Sequence, residues 1–413
     1  MAAATSRSRA GSTTAARPPI SRDLELEELM KSCARHLSGD GPRRASTLLE
    51  TIPEDTEVDY YGVGGAVAAL ESDVARLLGK QAALFVPTGT MAQQAVLRVH
   101  ADRRASRSIA FHPTCHLDGW AEERGYQGLH GLFGIPVGPR EEPLTLRALE
   151  AVHQPVAALL LELPQRALGG TLPTFAELTK QVRWARDRGA AVHLDGARLW
   201  EASAYYSSAH RKSLVDVAGL FDTIYVSFYK GLGGLGGCCV AGDRDVIDEL
   251  SVWRTRHGGR VFMMWPYAAS ARTVLAARLP RMPAYFRHAK AIAKALRGVE
   301  GVEVLPDPPQ SPMLHVRLAV SLDGLVANAK SIARSNSVWT FARPFATEGP
   351  ALQRCELSVG DATLALSSEE IATLLGRLAT TPERPGTSAA RRRPAAPPRD
   401  AGGAKRSGTR RAR

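Results

Sequence analysis

The sequence predicts an α/β protein with a mostly parallel sheet, followed by a smaller α+β domain. Short apolar runs recur between residues 82 and 241 without the alternation of a half-exposed strand, as expected of strands buried on both faces. Segments with helical spacing separate several of these runs, and strands that alternate with helices assemble into a parallel sheet covered on both sides. Beyond about residue 270 the pattern changes to a long amphipathic helix and isolated short strands.

The elements follow in order. Residues 67–78 place apolar side chains at helical spacing and end at Gly79, a natural helix C-cap. Residues 82–86 are an apolar run closed by Pro87, and residues 90–100 return to helix. Further strands are expected at 109–111, 135–137, 156–163, 191–194, 224–228 and 238–241, with helices at 144–152, 174–188 and 213–220. The later part gives a helix over 284–297, strands over 302–305 and 314–318, and a last helix over 368–378. The chain thus divides into a basic leader (1–22), an N-terminal arm with a large domain (23–270), a small C-terminal domain (271–382) and a basic tail (383–413).

Composition narrows the functional classes. The 413 residues, 44% of them hydrophobic, suffice for a large core. The formal charge of +12 suggests nucleic-acid binding until it is located. Arg7, Arg9, Arg17 and Arg22 carry part of it without any acid among them. Residues 383–413 carry the rest, with ten Lys and Arg against Glu383 and Asp400. Residues 23–382 are formally neutral, so a role in binding nucleic acid is confined to weak contacts of the tail. Both termini have compositions that bury no core and are expected to be disordered. Five cysteines without Cys-x-x-Cys spacing argue against a disulfide framework or a zinc site and suit a reducing cytoplasm. No apolar run reaches the roughly 20 residues of a membrane-spanning helix.

Three motifs carry chemistry, each in the place where such sheets bind ligands, beyond the carboxyl ends of the strands. Thr88-Gly89-Thr90-Met91 follows a strand and opens a helix, and helix N-termini with a glycine suit a phosphate. Asp195-Gly196-Ala197-Arg198 puts an acid at a strand end, then two small residues, then an arginine whose fork matches a carboxylate. A strand-end ion pair between Asp195 and Arg198 is the plain alternative. Lys230 ends an apolar strand before Gly231-Leu232-Gly233-Gly234, where partial burial lowers an amine's pKa and makes it nucleophilic.

Together "HLDGARLWEA", "DTIYVSFYKGLGGLGG" and "LGKQAALFVPTGTMAQQAVL" resemble the threonine aldolase/aromatic amino acid β-eliminating lyase family, over about residues 58–259. That resemblance implies the aspartate-aminotransferase-like fold type I with a seven-stranded sheet, pyridoxal 5'-phosphate as cofactor, a small amino-acid substrate and a homodimer or homotetramer. It implies Lys230 as the Schiff-base lysine, Asp195 as partner of the pyridine nitrogen, Gly89 and Thr90 at the phosphate, and Arg198 at the substrate carboxylate. His116, in "PTCHLDGW", matches the histidine that stacks on the cofactor and handles protons, although His112 four residues earlier fits a shifted register. Glu162 and Arg166 are further candidates around the same cavity, and Arg260, after "HGG", is a candidate to reach a phosphate or a neighbouring subunit.

The chain also departs from the family. Met91-Ala92-Gln93 replaces the usual Met-Ala/Gly-Asn, and no Ser-Asp-Thr-type motif is visible before "VDYYGVGG". The C-terminal stretch that usually supplies a second carboxylate-binding arginine reads "CELSVGDATL", with Glu356 at the arginine position. Arg343 and Arg354 are the nearby cations in sequence. The resemblance implies aldol cleavage of a β-hydroxy-α-amino acid to glycine and an aldehyde. β-Elimination on another amino acid is the second reading, and a non-catalytic scaffold acting through the basic tail is the reading from another class.

Overall fold

The computed structural model describes residues 24–119, 122–341 and 343–380. The basic leader and tail lie outside the described residues. Seven strands form the large sheet: β1 (Ala82–Val86), β2 (Ser108–Phe111), β3 (Phe133–Pro136), β4 (Ala158–Glu162), β5 (Ala191–Gly196), β6 (Thr223–Ser227) and β7 (Cys238–Gly242). Their spatial order is β1-β7-β6-β5-β4-β2-β3. Strands β6, β5, β4, β2 and β3 are mutually parallel, whereas β7 runs antiparallel to both neighbours. The reversal has a local cause: only the glycine-rich segment 228–237 joins β6 to β7, and it holds no helix to carry a crossover.

Burial explains why the strand sequences are uninterrupted. In β4, Leu159 and Leu161 enter the core on one side of the sheet while Ala158 and Leu160 enter the core on the other. Neither set reaches water, so neither needs a polar residue. The helix Gly65–Leu78 stops at Gly79, whose φ of 62° is the left-handed cap conformation. The helix Phe175–Arg186 starts at a capping box of Thr174 and Glu177.

A second sheet follows, of β8 (Val302–Leu305), β9 (Met313–Leu318), β10 (Ala346–Gly349) and β11 (Leu352–Ser358), in the order β10-β11-β9-β8 and antiparallel throughout. The helices Met282–Leu296, Leu322–Asn336 and Ser368–Ala379 complete this smaller C-terminal domain. The division expected at residues 270–271 falls inside the helix Trp265–Arg278. Strands β10 and β11 and the helices Arg244–Arg256 and Leu322–Asn336 were not among the expected elements. Two helices, Leu199–His210 and Leu214–Ala218, rather than one, separate the aspartate motif from β6.

The N-terminal segment spans both parts. Residues Arg35–His36 pair in parallel with Val338–Trp339, and Gly39 N–H donates to Ser358 O. This brings Asp40 and Arg43 against the glycine-rich loop, where Arg43 Nη1 donates to Gly233 O. All five cysteines are buried and free.

Candidate active site

The carboxyl ends of β4, β5 and β6 gather the ionisable groups. Glu162, Asp195 and Tyr225 are register neighbours on these strands. Asp195 is 3% exposed, and its Oδ1 accepts a hydrogen bond from Ala197 N–H at 3.1 Å. Ser227 Oγ donates to Ala197 O at 2.7 Å, which fixes the Gly-Ala turn against β6. Lys230 lies three residues past the end of β6, with Nζ 4.8 Å from the Tyr229 ring centroid. Burial lowers the Lys230 pKa, and Arg198 and Arg166 lower it further, against the opposing pull of Asp195 and Glu356. His116 is likewise pushed toward its neutral form, first by burial, while Asp195 opposes and Lys230, Arg198 and Arg166 assist. Asp195, Arg198 and Arg166 thus lie near enough to act on both the Lys230 amine and the His116 ring.

The phosphate-type turn stands at the end of β1. Thr88 caps the helix Gly89–Arg103 by accepting from Met91 N–H at 3.3 Å. Gly89 is buried against Tyr225, and a Cβ there would collide with the tyrosine hydroxyl. Thr90 is exposed in the first turn. Behind Asp195, on the same face of β5, His193 shares hydrogen bonds with Gln93 Oε1 at 2.6 Å and with Thr223 Oγ1 at 2.8 Å. This buried chain locks the helix to β5 and β6. Burial pushes the His193 pKa down to about 3, so the ring is neutral.

Three glutamates surround the cleft in different states. Burial, then the charge of Asp195, raises Glu162 to about 8, and the same two causes raise Glu122 to about 8. Both are protonated near neutral pH. Glu356 goes the other way, to about 2: burial opposes ionisation, but His315, Arg198 and Arg166 overcome it. Arg166 Nε donates to Glu356 Oε2 at 2.6 Å. A cavity of about 790 Å³ opens here, lined among others by His116, Arg166, His315, Phe345 and Arg354. A smaller one of about 130 Å³ touches Asp40, Arg198, Glu201 and Lys230.

Other sequence candidates are placed elsewhere. His112 is buried, with Nδ1 on Thr114 Oγ1 at 2.8 Å and Nε2 within 3.0 Å of two backbone carbonyls. It braces a loop, while His116 faces the cleft. Arg260 stacks on Tyr61 at 5.6 Å in an exposed aromatic patch. Arg343 is exposed, and Arg354 pairs with Glu348 at 3.1 Å. Among the described residues Arg198 forms no ion pair with Asp195, so the plain strand-end reading does not hold.

Sequence reasoning missed several cleft residues. Glu122 carried no signal beyond following His116 by six positions. Glu201 sits in the first turn after Arg198 and accepts from Gly231 N–H at 3.1 Å. The segment around Gly39 and Asp40 reaches the lysine although no N-terminal motif was visible there.

The donor set fits pyridoxal 5'-phosphate: an amine biased toward its neutral form, a buried carboxylate with one protein partner, small Ala197 beside it, and a capped helix N-terminus opening on a glycine. A family model described as beta-eliminating lyase matches residues 49–319, about two thirds of the chain. The chain belongs to the beta-eliminating lyase family. It is therefore an enzyme of a pyridoxal-phosphate-dependent lyase family. A protein of Listeria monocytogenes EGD-E assigned as an L-allo-threonine aldolase is 35% identical, with TM-score 0.81, over 86% of this chain and 99% of its own. Low-specificity L-threonine aldolase 1 of Arabidopsis thaliana is 29% identical over 60% of this chain and 71% of its own length. An alanine–glyoxylate aminotransferase of Nostoc, 16% identical with TM-score 0.56 over 84% of this chain and 94% of its own, shares the fold alone.

Proposed function

We propose that this lyase cleaves the Cα–Cβ bond of a β-hydroxy-α-amino acid, releasing glycine and an aldehyde. The observation that carries the reading is that Asp195 stands at the end of β5, that Lys230 follows β6 and shares a cavity with Arg198, and that His116 lines the larger cavity. Lys230 would hold the cofactor through its amine, Asp195 would pair with the ring nitrogen, and Gly89 and Thr90 would face the phosphate. When bound, pyridoxal phosphate supplies the electron sink that makes bonds at the substrate's Cα labile. The side chain of Arg198 has no hydrogen bond or ion pair among the described residues, which leaves its fork free for the substrate carboxylate. Neutral His116 is suited to take the proton of the β-hydroxyl. Glu162 and Glu122, both raised to about 8, stay protonated near neutral pH and add no negative charge beside Asp195.

β-Elimination is the second reading, favoured by the carboxylate of Glu356 where a cation was expected. A homodimer or homotetramer is supported by the exposed patch of Tyr60, Tyr61, Val63, Val261 and Phe262, with Phe262 5.2 Å from Tyr61 ring to ring. Five buried thiols suit a cytoplasmic location. Among the described residues no helix is long and apolar enough to cross a membrane.

The test is the absorbance spectrum of the protein with pyridoxal phosphate beside Lys230→Ala, followed by L-allo-threonine and L-threonine. A band of the lysine-bound cofactor that is lost in the variant, with acetaldehyde and glycine formed by the parent, is the expected result. The band without aldehyde moves the reading to β-elimination, and no band in the parent overturns the cofactor assignment.

A further inference from the structure

Arg166 and Glu356 lie 190 residues apart in sequence and meet beside Lys230. The pair is held from several directions. Arg166 gives Nε to Glu356 Oε2 at 2.6 Å and Nη2 to Oε1 at 3.4 Å, so one edge of the guanidinium is committed. Its Cζ lies 5.2 Å from the Phe345 ring centroid, and its backbone N–H donates to Glu162 Oε1 at 3.0 Å. Glu356 projects from β11 opposite the fully buried His315 of β9, whose Nε2 is 3.9 Å from it.

What remains free is informative. Nη1 of Arg166 has no partner among the described residues, and the side chain, 26% exposed, lines the cavity that His116 also lines. Arg198 is likewise uncommitted. Arg198 lines the smaller cavity with Lys230, Pro164 and Ser358, the last two standing two residues from Arg166 and from Glu356, and both guanidinium groups act on the Lys230 amine. The other arginines of the cavity are engaged: Arg354 with Glu348 at 3.1 Å, Arg317 with Glu348 at 2.6 Å and Glu303 at 3.2 Å, and Arg140 with Pro113 O at 2.9 Å. Two planar forks with free N–H groups, converging beside an amine, form a two-point receptor for a carboxylate.

We propose that Arg166 joins Arg198 in a two-arginine clamp for the carboxylate of the amino-acid substrate, and that Glu356 is the positioning residue that holds Arg166 in it. The proposal rests on the amino-acid reading given above. Glu356 then acts through Arg166 rather than repelling the substrate: it neutralises the excess charge that two arginines and a lysine would otherwise bring together, and it fixes the direction of the free edge. The second cation comes from the loop after β4 instead of from β11.

The experiment titrates the cofactor-loaded protein with glycine and with glycine methyl ester, which keeps the amine but lacks the carboxylate, following the cofactor's absorbance. Arg166→Gln is expected to weaken glycine binding about 10- to 100-fold while changing the ester by less than about threefold, as for loss of hydrogen bonds to a charged group. Arg166→Lys, which keeps the charge and loses the fork, gives a smaller loss and serves if the glutamine variant does not fold. Glu356→Leu lowers the preference for glycine over the ester, and Glu356→Gln, which retains an acceptor for Arg166, restores most of it. Equal weakening of both ligands, or no change in either, overturns the role of Arg166. Tighter glycine binding in Glu356→Leu makes Glu356 a competitor for the clamp and overturns its positioning role. A parent that binds the cofactor but neither ligand overturns the amino-acid reading together with the clamp, whereas a parent that binds glycine leaves that reading intact whatever the variants do.

Discussion

Two clusters of ionisable groups in this enzyme obey opposite rules. Around Lys230, burial drives most groups toward their neutral forms: Glu162 and Glu122 rise to about 8, and Lys230 and His116 fall, with Glu356, held at about 2 by its partners, as the exception. Around Arg278, where the N-terminal segment meets the helix Trp265–Arg278, charges are matched instead. Arg278 pairs with Asp40 and, at 3.3 Å, with Asp361, while Arg281 reaches Asp361 at 2.8 Å and Tyr285 donates its hydroxyl to the same carboxylate. Burial opposes the charge of Arg278, yet these partners raise its pKa. Matched groups fasten one part of the chain to another. Groups left short of partners mark the place that a ligand completes.

The largest test of this contrast is Arg278→Met, which takes the cation from the largely buried Asp40 and leaves the half-buried Asp361 to Arg281 and Tyr285. It should cost about 3–5 kcal/mol of stability in urea titration, as for breaking a buried pair from one side. A loss below about 1 kcal/mol would put this cluster in the class of surface pairs and remove the contrast.

Glu162→Gln probes the other cluster and should have the opposite sign. The folded-state pKa of Glu162, about 8, lies above the ordinary 4.5, so the folded protein holds this proton more tightly than the unfolded chain. Stability contributed by the group is therefore full below about 4.5 and is lost as pH rises through about 8. The glutamine variant, free of this titration, should match the parent near pH 4.5 and exceed it by about 1–3 kcal/mol above pH 8, measured by thermal melting of the cofactor-free protein. A variant less stable than the parent at high pH would mean that Glu162 is a matched charge after all.

The smallest effect belongs to an exposed pair that follows neither rule. Arg297 and Asp307 meet at 3.0 Å with side chains 61% and 35% exposed. Arg297→Ala should leave stability nearly unchanged in urea titration, and added salt should erase any difference.

The large sheet was legible because its strands are buried on both faces and write uninterrupted apolar runs. Strand β11 was not: its buried side chains, Gln353, Cys355 and Leu357, alternate with Arg354 and Glu356, and a buried glutamine hides the period. Lys230, Asp195 and Arg198 were legible because each ends or follows a strand within a short motif. His116 and His112 were not separable by spacing. Only their surroundings tell them apart, backbone carbonyls for His112 and the charged cleft for His116. Arg260, a sequence candidate for a phosphate or a neighbouring subunit, lies on Tyr61 in the exposed aromatic patch.

By itself the sequence determined the α/β architecture, the order of the large sheet's strands along the chain and the three motifs at their carboxyl ends, because all of these are written in windows of a few residues. Tertiary structure alone decided that Asp40 would lie beside the lysine, that Ser38 would bind Ser358 across 320 positions, and that Glu356 would meet Arg166. The physical reason is that propensity and periodicity are local. The partner of a charge is chosen by packing, which brings together side chains whose sequences carry no mark of each other.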